Sequence, residues 1–86
     1  MAGHHVEVIE GEVIGPARFE YTVGEMVSIT VGSDVAYEVH VHGYDHRYTV
    51  EPGTPLIIEF AADIPGIFEV ETHPDHLVLF EIEVGA

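Results

Sequence analysis

Seven histidines stand in this 86-residue chain, and five of them fall in two short segments. In Glu38-Val39-His40-Val41-His42 one residue separates the two imidazoles. On a strand they therefore share a face, with side chains about 6 to 7 Å apart, a spacing that permits chelation of one ion. Glu38 shares that face, and His46 follows just beyond the Gly43-Tyr44-Asp45 turn. The second segment, His73-Pro74-Asp75-His76, repeats the combination of imidazole and carboxylate. Nitrogen and oxygen donors of this kind suit Cu(II), Zn(II) or Ni(II), with Cu(II) highest in intrinsic affinity. The same residues also read as polar positions on a solvated sheet face, because His40 and His42 alternate with apolar Val39 and Val41, or as groups that respond to pH.

The N-terminus offers a separate donor set. With Met1 removed the chain would begin Ala2-Gly3-His4, where a free amine, two amides and a third-position imidazole form a square-planar arrangement for Cu(II) or Ni(II). A fortuitous match or a cloning remnant explains the tripeptide equally, and His5 adds little.

Enzymatic chemistry finds little support. Ser28 and Ser33 lie in a strand and a turn, the glycines mark turns, and neither a nucleophile motif nor a phosphate-cradling loop is present. Glu69 and Glu71 alternate along one strand and are expected to be solvated. The chain has no cysteine, hence no thiolate ligand and no disulfide. Sixteen acids oppose only Arg18 and Arg47, for a formal charge of -14, which excludes the basic stripe that nucleic acid requires and favours cations or a basic protein partner.

Strands must position these groups. Period-two alternation recurs from end to end, as in Val27-Ser28-Ile29-Thr30-Val31 and Phe80-Glu81-Ile82-Glu83-Val84, and turn residues punctuate it at short intervals. This pattern predicts one all-β domain over 1–86, a Greek-key β-sandwich of seven to eight strands with residues 1–5 as a flexible N-terminal segment. The strands are expected near 5–13, 17–23, 26–32, 36–43, 46–50, 55–61, 66–73 and 76–84. Inward positions are expected at Val8, Phe19, Val23, Val27, Ile29, Val31, Val39, Val41, Ile58, Phe60, Phe68, Val70, Val78, Phe80, Ile82 and Val84. No run of about 18 apolar residues could span a bilayer, so no direct membrane insertion is expected. MAGHHVEV lacks the basic start and apolar stretch of a signal peptide, which leaves a cytosolic chain or a mature form without its leader.

The order of Gly24-Glu25-Met26-Val27-Ser28-Ile29, the strand Tyr37 to Asp45, Glu51-Pro52-Gly53-Thr54-Pro55, Ala62 to Val70 and the closing Leu79 to Val84 resembles the cupredoxin superfamily. Within it the chain is similar to short bacterial cupredoxin-like domains with an EVHVHGYD segment. The resemblance implies an extracytoplasmic protein that handles copper, and it covers nearly the whole chain. It also implies a cysteine at Thr72 or a neighbour, a histidine at the position of Glu38 and a following methionine; the cysteine and the methionine are absent, and the nearest histidine, His40, lies two residues beyond Glu38. A blue-copper centre needs that thiolate. The expectation is therefore a non-enzymatic module that binds a divalent metal, copper before zinc or nickel, through His40, His42, His46, His73 and His76, with His4 at the separate terminal site. Storage, delivery or protection would be its task, and not electron transfer. The alternative is a metal-free sandwich that meets a basic protein partner through its acidic surface.

Overall fold

The structure, a computed structural model, describes residues 4–86, and the described residues contain strands and turns but no helix. Nine strands follow one another: β1 (His4–Ile9), β2 (Glu12–Ile14), β3 (Arg18–Thr22), β4 (Met26–Ser33), β5 (Tyr37–Val41), β6 (His46–Val50), β7 (Leu56–Ala61), β8 (Gly66–His73) and β9 (Val78–Gly85). They form a four-stranded sheet in the order β2-β1-β4-β7 and a five-stranded sheet in the order β3-β9-β8-β5-β6. The chain changes sheet after β2, β3, β4, β6 and β7. Its two parallel pairs, β1 with β4 and β3 with β9, join strands that are not consecutive, while the remaining pairs are antiparallel.

Alternation places one side of each sheet against the other. Val6 and Val8 of β1, Val27, Ile29 and Val31 of β4 and Ile58 of β7 face Val39, Val41, Val50, Val70, Phe80 and Ile82 of the second sheet, all at most 1% exposed. Fully burying such a side chain contributes about 1.5–3 kcal/mol. Phe19, Phe60, Ala62, Leu79 and Val84 complete the core, and Phe68 packs half-buried against it.

Three sequence expectations change. The stretch expected as one strand over 5–13 is a hairpin, because Glu10 and Gly11 both take positive φ (51° and 79°), a two-residue turn that reverses the chain. Val23 lies outside the core, since β3 ends at Thr22 and Gly24, at φ 101°, turns the chain away. Val78 is also outside. A bulge between β8 and β9 pairs Val70 with Phe80 but Glu71 with Val78, so Leu79 is the extra residue and enters the core beside Phe80.

Candidate metal centre

Strands β5 and β8 are antiparallel neighbours, with His40 opposite Glu71 and Glu38 opposite His73. Val39, Val41, Val70 and Thr72 take the inward positions of these strands, so His40, Glu71 and His73 rise together from the outer side of the five-stranded sheet. Directly opposed residues have Cβ atoms about 4.5–5.5 Å apart. The histidine segments thus meet across adjacent strands. The turn between β8 and β9 folds over them and is tethered at Thr72, whose carbonyl accepts from His76 N (2.8 Å), whose N–H donates to the Leu77 carbonyl (2.9 Å) and whose Oγ1 accepts from Leu77 N (3.1 Å). Thr72 is fully buried, at the place where the resemblance implies a cysteine.

Four imidazole rings run in sequence across this surface. Ring centroids are 4.7 Å apart from His42 to His40, 5.4 Å from His40 to His73 and 5.0 Å from His73 to His76. The carboxylate of Glu71 lies among them. Its Oε2 is 2.8 Å from His42 Nε2, 3.3 Å from His76 Nδ1 and 3.7 Å from His73 Nε2. Hydrogen bonds from His42 first and His76 second hold this carboxyl below the usual carboxylate range, against the opposing effect of burial. Glu71 is 7% exposed, so the expectation of a solvated strand position fails: the bulge and the overlying turn cover it.

His40 is oriented by Asp45. The backbone turns after Val41 through Gly43 (φ 87°) and Asp45 (φ 57°), closed by a bond from Asp45 N to the Val41 carbonyl (2.9 Å), and Asp45 Oδ1 receives His40 Nε2 at 3.1 Å. This bond, with Arg47 nearby, also holds the Asp45 carboxyl below its usual range. When Nε2–H is donated to Asp45, Nδ1 keeps the lone pair, the arrangement that orients ligating histidines. His40 Nδ1 and His73 Nε2 are both buried without a hydrogen-bond partner. A polar atom buried in this way costs about 1–3 kcal/mol.

Two donor groups have ligand atoms that all lie within 4.8 Å of one another: His40, His42 and His73, and Glu71, His73 and His76. Bonds of about 2.0–2.1 Å to a metal place donor pairs about 3.3 Å apart in a tetrahedron and about 4.1 Å apart across a square plane. The limit of 4.8 Å on the donor separations lies above both spans. The two orphaned nitrogens and the nitrogen and oxygen donors fit a divalent ion, whereas a blue-copper centre does not fit a chain without cysteine.

Other expected ligands stand elsewhere. His46 pairs with Val41 and takes the inward side of β6, where its ring packs on Phe60 (4.9 Å), Tyr44 (5.9 Å) and Tyr48 (6.4 Å). It belongs to neither donor group, because its position on β6 has the opposite parity to that of His40 on β5. Glu38 faces Arg47 at 3.8 Å, and Asp75 is exposed on the turn. The His4 ring packs on Phe19 (4.6 Å) and Tyr21 (5.9 Å), while Ala2 and Gly3 of the expected terminal site lie outside the described residues. Glu71 and Asp45 are the site residues that spacing along the sequence did not single out.

No family model and no curated protein matches the chain by sequence. Solved structures do match. A chain of a heme-copper terminal oxidase dimer superposes with a TM-score of 0.73 at 23% identity, over 93% of this chain and 62% of that one. Copper nitrite reductase from Nitrosomonas europaea superposes with a TM-score of 0.68 at 17% identity, over 98% of this chain and 41% of that one. The protein thus spans less than two thirds of either chain, and the likeness shows a cupredoxin-like fold.

Proposed function

We propose that this cupredoxin-like domain is a non-enzymatic module that binds a divalent metal, copper in the first place, for storage, delivery or protection outside the cytoplasm. The observation that carries the reading is the pair of buried, unpartnered nitrogens, His40 Nδ1 and His73 Nε2, in a cluster with His42, His76 and Glu71. An ion bound there would draw on nitrogen and oxygen donors alone, a set that ranks Cu(II) above Zn(II) and Ni(II) and provides no thiolate for rapid electron transfer. The two solved structures described above carry copper in their names, which supports the choice of metal. A hollow of about 530 Å³ beside the cluster is lined by His42, Gly43, Ile67, Phe68, Glu69 and Glu81. The extracytoplasmic location rests on the resemblance; among the described residues no helix is long and apolar enough to cross a membrane.

Calorimetric titration of Cu(II) and Zn(II) into the full chain and into a His4→Ala variant tests the reading. One ion per chain that survives His4→Ala supports it. The copper-loaded protein should lack an intense thiolate band. Absence of binding, or binding lost with His4 alone, contradicts it.

A second reading draws on the two arginines, Arg18 tied to Glu81 and Glu83 at 2.7 and 3.1 Å and Arg47 facing Glu38 and Asp45 at 3.8 Å. The cationic groups are thus set against the chain's own acids, leaving an anionic surface for a basic partner.

A further inference from the structure

The donor groups of the histidine cluster overlap but are not equivalent. The first, His40, His42 and His73, contains three imidazoles and both orphaned nitrogens, and its middle member, His40, is only 12% exposed at the side chain. The second, Glu71, His73 and His76, contains the carboxylate and the most exposed ring of the four, His76, at 67%. His76 stands on the turn with positive φ (57°), whereas His40 and His73 stand on paired strands. His73 alone is common to both groups.

We propose that the cluster comprises two overlapping sites that one divalent ion occupies in turn: a capture site of Glu71, His73 and His76, and a holding site of His40, His42 and His73. This rests on the metal-binding reading above. A hydrated cation exchanges its waters one at a time, and the first protein donor it meets is the one that projects furthest into solvent. His76 fills that role, and the Glu71 carboxylate behind it supplies the only negative charge within either donor group. Passage to the holding site replaces the carboxylate and one imidazole by two imidazoles. It also engages His40 Nδ1, whose unpaired burial an ion relieves only there. Neutral nitrogen donors hold the later first-row metals more tightly than a carboxylate does. His73 stays bound throughout, so the ion moves without returning to water. Because His73 serves both sites, one ion binds per chain.

The test is stopped-flow absorbance with Co(II), which the amine-amide set of an N-terminal Ala-Gly-His does not favour, on the full chain and its variants. His76→Ala is expected to slow association about five- to tenfold and to change dissociation less than about twofold. His40→Ala is expected to speed dissociation about tenfold or more and to leave association within about twofold. His76→Gln and His40→Gln, each checked by circular dichroism, provide the same comparison should an alanine variant fail to fold. Equal changes in both rates for the two positions, unchanged association for His76→Ala, or two ions per chain would overturn the two-site scheme while leaving metal binding intact. Failure of the His4→Ala chain to bind any of Cu(II), Zn(II) and Co(II) would overturn the metal reading beneath it.

Discussion

One hairpin, β5 to β6, carries three histidines into opposite surroundings. His40 and His42 leave the outer side of the sheet and join His73, His76 and Glu71, where two ring nitrogens are buried without partners. His46 leaves the inner side four residues later and lies against the rings of Phe60, Tyr44 and Tyr48, a setting that uses the ring as a packing surface. Tyr44 in turn ties this corner to the loop before β8, its hydroxyl donating to the Ile64 carbonyl (2.8 Å) and accepting from Ile64 N (2.9 Å). Strand parity, and not nearness in sequence, separates a histidine of the donor cluster from a packing residue.

The largest test of this contrast is His73→Ala, which removes the residue common to both donor groups. It should weaken Cu(II) affinity at least about a hundredfold by calorimetry, whereas His46→Ala should leave affinity within about twofold and lower stability to urea by about 1–3 kcal/mol. Loss of the metal with His46 would break the comparison. Glu71→Gln should reduce affinity about tenfold and also alter behaviour in acid. The folded-state carboxyl of Glu71 is held low, so its stabilisation is complete above the ordinary carboxylate range and disappears as pH falls through the lowered value. Metal-free Glu71→Gln should therefore lose less stability than the unsubstituted chain over that acid range in thermal unfolding. Protons also compete for the imidazole lone pairs, so metal affinity should fall with pH in both proteins.

Gly43→Ala should cost about 1–3 kcal/mol. The position has φ 87°, and a Cβ there would clash with the Phe68 ring, which packs edge-on to Tyr44. Because this turn carries Asp45, metal affinity should decline with stability, and the loss should exceed any change in His46→Ala. The smallest effect is expected for Asp45→Asn, which tolerates the positive φ and retains an acceptor for His40 but loses the charge. A drop of about three- to tenfold in affinity, with unchanged unfolding, would identify Asp45 as an orienting group.

Alternation made most of the fold legible: of the residues expected inside, only Val23 and Val78 are outside, at a turn and beside a bulge. Period two cannot register an inserted residue, and Leu79 therefore stands outside the expected core. The pairing of His40 with His42 was visible because it is local. That Glu71 stands opposite His40 depends on which strand lies beside β5 and in what register, and neither is written in the local pattern. The same limit hid the role of Asp45, a turn residue whose partner is five positions back. His46 reads like the other histidines until its strand is given a face.

The parallel pairing of β3 with β9 has a consequence for the order in which the molecule can be made. Arg18 lies beside Glu81 and Tyr21 beside Val84, so an early strand waits for the last one before its edge is covered. During synthesis at about 5–20 residues per second, that is a delay of several seconds in which Phe19 and Tyr21 lack their partner strand. The histidines at 40 and 42 likewise precede those at 73 and 76 from the ribosome, and pairings so distant in sequence form slowly. The histidine cluster is therefore a late product of folding, assembled only once β8 has docked on β5.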